Sequence, residues 1–365
     1  MDRLRVGVIG CGAIAQIMHL PHLRELGDRF EIAALCDADE RRLRLVADRY
    51  GVHRRSTSAA DLMSEALDAV LVLSSGDHAD LVVAALDAGK HVFVEKPVAY
   101  TLRGTDDVIA AEGRSGRTVM VGMMKRFDPG WQRGLAEVRR LDDMRLVDVR
   151  VLHPAGDAYF SHHPILGGPP PSVVAGRPTL TPRWLRDAIL AAEPRALLAE
   201  GLGSDRPELL AAWYLLLASS IHDIDLIREA LGEPASVVEA AAWADGTSHA
   251  ATLAYPGDLR VRYVWTWLPG LRDYREEHSF FAPAGRVHVV FPSPYLRNEP
   301  TTVEVETADG EELRTTRVVA SFDEAFRREL VAFHECVTAG TPIRTTVADA
   351  RKNLEVLTAI GRAMR

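Results

Sequence analysis

The feature that most constrains the fold is a glycine-rich segment close to the N-terminus. An apolar strand pattern from Leu4 to Ile9 leads into Gly10-Cys-Gly12-Ala13-Ile14-Ala15, and a helical pattern follows. The first glycine permits a tight turn, the second lets the backbone approach a diphosphate, and Ala15 lets the helix pack closely on the strand. Free N–H groups at the helix start favour a negatively charged ligand. This order predicts a Rossmann fold that binds a dinucleotide; a glycine-rich turn without a ligand is the alternative.

An acidic residue at the end of the second predicted strand bears on the choice of dinucleotide. Asp37 follows Gly12 by 25 residues, close to the position at which a carboxylate binds the ribose hydroxyls. A carboxylate there would repel a 2′-phosphate, so NAD is expected. Arg41 and Arg42 follow soon after and leave NADP as an alternative. Asp37 could instead cap a helix or form a turn.

Length and pattern predict two domains. The chain has 365 residues, more than a single core usually holds. Strand and helix patterns alternate as far as about Val121, and longer alternating runs begin beyond Phe127. We expect an α/β Rossmann domain at residues 1–125 and an α+β C-terminal domain with a large, mostly antiparallel sheet at residues 126–365. A proline- and glycine-rich, partly helical insertion is expected at about 155–215, of the kind that forms lids or binding loops.

The strand and helix patterns can be placed along the chain. Strands are predicted in the first domain at Leu4–Ile9, Glu31–Cys36, Ala69–Leu73, His91–Glu95 and Thr118–Val121. In the second domain they are predicted at Arg145–Leu152, Ser236–Trp243, Ala250–Tyr255, Leu259–Trp267 and Arg286–Phe291. Helices are predicted at Asp80–Ala88, Arg183–Leu198, Pro207–Leu231, Asp323–Val337 and Val347–Met364.

Charge and composition argue against several classes of partner. The formal net charge is −8 and no long Lys/Arg run is present, which argues against nucleic acid. The longest apolar run, Trp213–Ile221, is shorter than the roughly 20 residues of a membrane helix. The N-terminus lacks the pattern of a signal peptide, so a cytoplasmic enzyme is expected. Cys11, Cys36 and Cys336 are scattered, which predicts buried thiols and neither a disulfide framework nor a zinc site.

A series of short motifs follows the glycine-rich start. They are Ser75-Gly-Asp-His78, Ala84-Ala-Leu-Asp-Ala-Gly-Lys90, His91-Val-Phe-Val-Glu95-Lys96-Pro97, Met124-Lys-Arg126-Phe127-Asp128-Pro129, and Ile221-His222-Asp-Ile-Asp225 before Leu231-Gly232. In this order they resemble the glucose-fructose oxidoreductase / inositol dehydrogenase / rhizopine catabolism (Gfo/Idh/MocA) family. The resemblance covers most of the chain outside the insertion. It implies an NAD(P)-dependent oxidoreductase that acts on a secondary alcohol of a sugar, cyclitol, aminosugar or glycosylated natural product.

The resemblance implies roles for two residues. Lys96 would lie beside the nicotinamide and hydrogen-bond the reacting oxygen, and His222 would be the general base or acid. Lys96 also stands out because the chain has only four lysines, and an ammonium, unlike a guanidinium, can be pushed to lose its proton by burial. The alternatives are a surface lysine at a strand end and a histidine held within the core.

One position departs from the family pattern. Many family enzymes carry an aspartate one helical turn before the histidine, and here that residue is Ala218. A serine or a residue of the insertion would have to replace it. The candidates are Ser219, Ser220, Asp157, His162 and His163.

The remaining site residues have assigned roles with open alternatives. Ser74, His78 and Glu95 are counted with Lys96 among the cofactor-binding residues, although His78 could equally cap the next helix. Arg126 would orient the substrate or the domain junction, with a surface ion pair as the alternative. Asp225 is a candidate substrate ligand for which a structural role is favoured.

No metal is expected, including at His153, His162 and His163, because no carboxylate stands at ligand spacing. A homodimer or homotetramer is expected, since the family often pairs through an exposed sheet face. Two other functions remain open: a glycosidase or lyase that uses NAD without net redox change, and a non-catalytic sensor that binds NAD and a sugar.

Overall fold

The structure is a computed structural model that describes residues 3–154, 162–168 and 192–364. These residues form two compact units. The first contains residues 3–123, 162–168 and Phe326–Leu354, and the second contains residues 124–154, 192–325 and 355–364. The expected fold class, a Rossmann domain with an α+β second domain, is confirmed.

The first unit is built on a parallel sheet. Its strands are β1 (Leu4–Ile9), β2 (Phe30–Cys36), β3 (Arg54–Ser56), β4 (Ala69–Val72), β5 (His91–Glu95) and β6 (Val119–Gly122). They are ordered β3-β2-β1-β4-β5-β6 and every pair is parallel. β4 is buried throughout, as expected where helices cover both faces of a parallel sheet. The chain order reverses between β1 and β4, and ligands of such sheets bind at the carboxyl ends of the strands at this point.

Helices connect these strands, and side chains at their first turns satisfy free N–H groups. The side chains of Asp39, Ser58 and Thr101 accept hydrogen bonds from the backbone at the starts of three helices. The helices are α1 (Leu20–Glu25), preceded by a π-helical turn at Ala15–His19, α2 (Glu40–Tyr50), α3 (Ala59–Ser64), α4 (Ala79–Asp87) and α5 (Leu102–Ser115).

The second unit is built on an eight-stranded sheet. Its strands are β7 (Leu146–His153), β8 (Ser236–Trp243), β9 (Ser248–Ala254), β10 (Arg260–Trp267), β11 (Arg275–Ala282), β12 (Gly285–Phe291), β13 (Thr302–Asp309) and β14 (Glu312–Val319). The order is β14-β13-β12-β11-β7-β10-β9-β8, and β7 with β10 is the parallel pair in an otherwise antiparallel arrangement. The expectation of a mostly antiparallel sheet is therefore confirmed.

The helices of the second unit include the segment that carries the predicted base. In chain order, the helical elements from residue 124 onward are a 3-10 turn (Met124–Phe127), α6 (Pro129–Val138), α7 (Ala192–Leu202), α8 (Pro207–Leu215), a π-helical turn (Leu216–Ser220), α9 (Ile221–Leu231), a second 3-10 turn (Pro256–Asp258), α10 (Ala325–Ala339) and α11 (Val347–Ala363). The last two belong wholly or partly to the first unit.

One continuous helical stretch of the second unit is unusually apolar. Pro207–Leu231 is long and apolar enough to cross a membrane, and it is longer than the apolar run considered from sequence. However, 78% of its most apolar window is buried inside the protein, so packing in the core accounts for that composition.

The units differ in extent from the domains predicted from sequence. Residues 162–168 of the predicted insertion and Phe326–Leu354 were assigned to the C-terminal domain, whereas their contacts group them with the Rossmann unit. For 162–168 the reason is a direct attachment: the side-chain amide of Gln16 bonds both backbone groups of Leu166, at 2.8 and 3.0 Å. Most of the remaining insertion, including Asp157, lies outside the described residues.

Candidate active site

The glycine-rich loop at the end of β1 has the shape required for a diphosphate. Gly10 has a φ of +95°, and a Cβ there would lie 2.4 Å from the backbone nitrogen of Ser74. Gly12 differs, since no described atom lies within 4 Å of the position its Cβ would take. Ala15 is fully buried, as close helix packing requires. The residues present therefore fit a dinucleotide: the open space above Gly12 is where its phosphates could approach the backbone.

Asp37 is tied to this loop. One carboxylate oxygen accepts a hydrogen bond from the backbone N–H of Cys11 at 2.7 Å. The other accepts from the backbone N–H of Asp39 at 2.8 Å and from the Arg42 guanidinium at 3.2 Å. Arg42 also pairs with the Asp39 carboxylate at 3.3 Å. The arginine considered as a partner for a 2′-phosphate is thus held between two carboxylates, which weakens the case for NADP.

His78 joins two loops at the carboxyl edge of the sheet. Its ring nitrogens lie 2.6 Å from the carbonyl oxygen of Ser74 and 2.7 Å from that of Pro97. Because carbonyl oxygens only accept, both contacts are hydrogen bonds when both ring nitrogens carry protons. The side chain makes no capping bond to α4, so the capping alternative is wrong. His78 instead positions the segment that follows Lys96.

Lys96 follows the last residue of β5, at the same edge of the sheet. It is partly exposed, whereas Glu95 and Pro97 on either side are buried, and the Lys96–Pro97 bond is cis. The Glu95 carboxylate accepts the Lys96 backbone N–H at 3.3 Å and contacts the His19 ring at 2.7 Å. Burial opposes the ionisation of Glu95, but His19 and the nearby Lys96 charge outweigh it and lower the pKa of this carboxyl. A carboxylate therefore lies directly behind Lys96.

His222 lies near the start of α9, immediately after a π-helical turn. It is partly exposed, and Ala218, four residues earlier, is partly exposed as well. Ser219 accepts a hydrogen bond from the Trp265 indole N–H at 3.0 Å and remains partly exposed. Ser220 is fully buried and bonds His249 at 2.8 Å. Of the two serines proposed to replace the missing aspartate, only Ser219 is therefore accessible.

Arg126 and Asp225, both considered as substrate ligands, bind each other. The guanidinium donates to the two carboxylate oxygens at 2.7 and 2.6 Å, and both side chains are buried. Arg126 therefore does form an ion pair, but the pair is buried, and the prediction that it lies on the surface is wrong. This bidentate pair fixes α9 to the 3-10 turn that carries Arg126. A role for either residue in substrate binding stays a prediction.

The sequence reading missed a buried charge network beneath α9. The Lys125 ammonium contacts Glu276 and lies 3.5 Å from Asp223, and His278 lies 3.1 Å from Asp223 and 3.3 Å from Glu276. Tyr263 donates to Asp223 at 3.1 Å. Asp223 directly follows His222 in the chain, and this was the available signal. The network anchors the helix that presents the predicted base.

The charges of this network act differently on its two carboxyl groups: burial and the neighbouring Glu276 raise the pKa of Asp223, whereas the pKa of Glu276 is lowered. Burial opposes the ionisation of Glu276, yet the Lys125 charge and the bond from His278 hold the pKa of that carboxyl well below its usual range. Burial also disfavours the charged form of His278, but its bonds to Asp223 and Glu276 raise its pKa. Carboxylate and imidazole atoms here lie within 4.8 Å of one another, but the Lys125 ammonium already supplies the balancing charge. The absence of a metal stays a prediction.

The other histidines and the cysteines can be placed briefly. His162 is exposed and His163 partly exposed, in the segment that packs on the Rossmann unit, and their proposed substrate role is untested. The three cysteines are buried and unpaired, as expected, and burial raises the pKa of the Cys11 thiol to about 12.

Comparison with known proteins begins with the first unit. Residues 4–123 match a family described as an oxidoreductase family with an NAD-binding Rossmann fold, Gfo/Idh/MocA. Residues 4–123 are thus similar to the Gfo/Idh/MocA oxidoreductases, and the resemblance found in the sequence is confirmed over this part of the chain. The matching family binds NAD through its Rossmann fold.

Curated relatives match over the same region. Inositol 2-dehydrogenase 3 of Saccharopolyspora erythraea is 43% identical over 132 residues, which are 35% of this chain and 38% of that protein. Inositol 2-dehydrogenase of Salmonella typhimurium is 36% identical over 132 residues, 35% of this chain and 39% of that protein. The aligned part thus spans less than two fifths of each relative.

Solved structures match over the whole chain. A 3-ketoreductase from Actinomadura kijaniata, in complex with NADP and TDP-benzene, covers 100% of this chain and 98% of its own, with a TM-score of 0.75 and 19% identity. UDP-N-acetylglucosamine 3-dehydrogenase from Acidithiobacillus ferrooxidans covers the same shares, with a TM-score of 0.72 and 19% identity. At this identity the likeness shows that the chain shares the fold of these two proteins.

Proposed function

We propose that this protein is an NAD-dependent oxidoreductase that reversibly oxidises a secondary alcohol of a sugar, cyclitol, aminosugar or glycosylated natural product, with NADP as an alternative cofactor. The observation that carries the proposal is Lys96. It is a partly exposed amine at the carboxyl end of β5, backed by the Glu95 carboxylate. It lies at the carboxyl edge of the parallel sheet, as does the glycine-rich loop that fits a dinucleotide. Both lie within the segment that matches an NAD-binding oxidoreductase family.

Each residue has a chemical task in this proposal. A bound nicotinamide supplies the hydride acceptor. Lys96 donates a hydrogen bond to the reacting oxygen and stabilises negative charge on it as the proton leaves. His222 accepts that proton on a ring nitrogen, because imidazole exchanges protons near neutral pH. The buried network of Asp223, Glu276 and Lys125 holds the start of α9 in place, and with it His222, while the proton is transferred.

The substrate class rests on two kinds of relative. The inositol dehydrogenases match the cofactor domain, and a 3-ketoreductase and a UDP-N-acetylglucosamine 3-dehydrogenase share the whole fold at low identity. By their names, these enzymes act on a cyclitol, on a ketone and on a sugar nucleotide. Ala218 stands where many family members have an acidic residue. We therefore infer that another residue binds the substrate hydroxyl here, and Ser219 is the accessible candidate for that role.

The proposal is tested by incubating the purified protein with NAD, or separately NADP, and a panel of sugars, cyclitols, aminoglycosides and sugar nucleotides. Reduction is followed by the near-ultraviolet absorbance of the reduced nicotinamide. We expect reduction with at least one compound, and its loss in Lys96→Ala and His222→Ala. Lys352→Ala serves as the control, because that lysine is exposed.

Two other outcomes would redirect the proposal. Conversion of a glycoside without accumulation of reduced cofactor would indicate the non-redox glycosidase or lyase. Tight binding of NAD and a sugar with no conversion would indicate the sensor. A homodimer or homotetramer remains part of the proposal and is measured by light scattering after gel filtration.

A further inference from the structure

A second group of titratable side chains lies behind Lys96, inside the Rossmann unit. Glu329 of α10 is fully buried, and its carboxylate lies within 4.8 Å of the contacting atoms of His19 and Glu95. His19 is also fully buried and contacts Glu95 at 2.7 Å. These three residues are called the buried triad below. The mechanism proposed above uses only the Glu95 member.

The surroundings of the triad are aromatic. The His19 ring makes edge contacts with Phe93 at 5.4 Å and with Phe326 at 5.5 Å, and Phe93 contacts Phe333 at 5.7 Å. Such side chains offer no hydrogen-bond donor to a carboxylate and give a low local dielectric. An ionised group here needs a direct polar partner.

Glu95 has such partners and Glu329 does not. The Glu95 oxygens contact the His19 ring and accept the Lys96 backbone N–H. Neither oxygen of Glu329 has a hydrogen-bond partner among the residues that the structure describes. Burial raises the pKa of the Glu329 carboxyl well above its usual range, and the neighbouring Glu95 charge raises it further. Burial and the like charge of Glu95 thus both oppose a second negative charge at Glu329.

We propose that Glu329 is a positioning residue held as a neutral carboxylic acid, which restricts the buried triad to one carboxylate charge and keeps that charge on Glu95, behind Lys96. This deepens the proposed function, because Lys96 is the residue that would polarise the reacting oxygen. A second negative charge at Glu329 would stabilise the Lys96 ammonium further and would repel Glu95 from its place beneath the Lys96 backbone.

The charged and titratable neighbours fix the direction of this effect. Glu329 faces Glu95 and His19. Glu95 in turn faces His19, Lys96 and His78, whose charges all favour its ionised form. The negative charge therefore belongs on Glu95, where three potential cations surround it, and the proton belongs on Glu329.

A bound divalent cation is the competing explanation for three oxygen and nitrogen ligands this close together. It would ionise both carboxylates. The aromatic walls around His19 and the positive groups around Glu95 disfavour it, since a cation there would lie close to Lys96 and His78.

Two measurements test the proposal without requiring turnover. The first is the infrared carbonyl stretch of protonated carboxylic acids at neutral pH, compared between the native protein, Glu329→Gln and Glu335→Gln. Glu335 is a partly exposed glutamate on the same helix and is paired with Arg29 at 3.4 Å. We expect the band of a protonated acid to be lost in Glu329→Gln and kept in Glu335→Gln. Identical native and Glu329→Gln spectra would overturn the proposal.

The second measurement uses the scarcity of lysine. The chain has four lysines, so ¹³C-dimethylation gives an NMR spectrum in which Lys96 can be assigned by its absence in Lys96→Arg. Glu329→Gln should leave the midpoint pH of the Lys96 titration unchanged, because it replaces a neutral acid by a neutral amide. Glu95→Gln should move that midpoint to lower pH, because it removes the negative charge that stabilises the Lys96 ammonium. Lys352, exposed, is the internal reference.

The outcomes are separable. A fall of the Lys96 midpoint in Glu329→Gln would mean that Glu329 is ionised, and the proposal would be wrong. If Glu95→Gln does not fold, Glu95→Asp, which retains the charge, should keep the native midpoint. Zinc bound at one ion per chain after dialysis, and lost in Glu329→Gln, would also overturn it. Failure of cofactor reduction alone would count against the proposed function and leave both measurements interpretable.

Discussion

The carboxylate of Asp37 accepts a hydrogen bond from the backbone N–H of Cys11 at 2.7 Å. This bond joins the residue predicted to choose the cofactor to the loop predicted to hold its phosphates. It also reaches across two neighbouring strands, since the ends of β1 and β2 are paired at Ile9 and Cys36. A change at Asp37 therefore affects both recognition of the ribose and the shape of the loop, and the two effects have to be separated.

Asp37→Asn separates them. The amide oxygen can still accept from Cys11, so the bond to the loop is kept. The amide nitrogen replaces the oxygen that accepts from the Asp39 N–H and from Arg42, so both of these bonds are lost together with the negative charge that would repel a 2′-phosphate. We expect the KM for NAD to rise and the preference for NAD over NADP to fall by about tenfold or more, equivalent to about 1.4 kcal/mol. Asp39→Asn, at a neighbouring partly exposed carboxylate, should change the preference less. An unchanged preference would show that Asp37 does not meet the ribose.

Gly12→Val tests the diphosphate position. Because no described atom lies near the Cβ position, the folded protein should lose less than about 1 kcal/mol of stability. Affinity for NAD should fall at least tenfold, because the side chain fills the space the phosphates need. The contrasting variant is Gly10→Ala, which should lower the melting temperature through backbone strain and contact with Ser74. Normal NAD affinity in Gly12→Val, by calorimetry, would contradict the cofactor site.

Ala218→Asp tests whether another residue has replaced the family aspartate. Since Ser219 is accessible beside His222, we expect turnover to change by less than about tenfold, measured as cofactor reduction with the best substrate. Ser219→Ala should lower turnover, whereas the buried Ser220 is not expected to contact substrate. A large gain in turnover in Ala218→Asp would mean that no substitute is present.

Lys125→Met tests the buried network. Removing the ammonium leaves Asp223 and Glu276 buried with less positive charge, which should cost about 3–5 kcal/mol in the free energy of unfolding. The double variant Lys125→Met/Glu276→Gln should recover part of the loss. Arg145→Met, at an exposed pair with Asp143, should cost less than about 1 kcal/mol. Equal losses in urea denaturation for the buried and exposed variants would argue against a stabilising network.

Glu329 also predicts a pH dependence of stability. In the unfolded chain a glutamate ionises with a pKa of about 4.3, whereas burial and Glu95 raise the pKa of Glu329 in the folded state. Above pH of about 4.3 the folded state holds a proton that the unfolded state has lost, so this group lowers stability as the pH rises toward the raised pKa. Glu329→Gln removes that dependence.

The measurement is the difference in melting temperature between Glu329→Gln and the native protein across this pH range. The melting temperature of Glu329→Gln should rise relative to that of the native protein as the pH increases. The control variant Glu335→Gln, at a partly exposed glutamate of the same helix, should show no such trend. A difference that stays constant with pH would mean that Glu329 ionises as readily in the folded protein as in the unfolded chain.

The sequence by itself determined the Rossmann fold of about the first 123 residues and the resemblance of this segment to the Gfo/Idh/MocA family. Gly10, Gly12 and Ala15 have local requirements, and the apolar strands of a doubly covered sheet are visible as short hydrophobic runs. Five of the six strands were placed within one residue at each end, and Ser236–Trp243 in the second sheet was placed without error. Lys96 and His222 were proposed as site residues because the short motifs around them resemble those of the Gfo/Idh/MocA family, and their roles stay predictions.

The tertiary structure alone decided the polar interior. β11 was not predicted because two of its buried inward positions, Glu276 and His278, are polar and only Phe280 is apolar, which leaves too little hydrophobic alternation to detect. β3 was missed because it is short and polar. The partners of Arg126 and Asp223, and the neighbours of Glu329, lie tens to hundreds of residues away in the chain. A charged group becomes buried beside them only when distant elements meet. Local sequence records the residue type, whereas its environment, and with it its chemistry, is set by the fold.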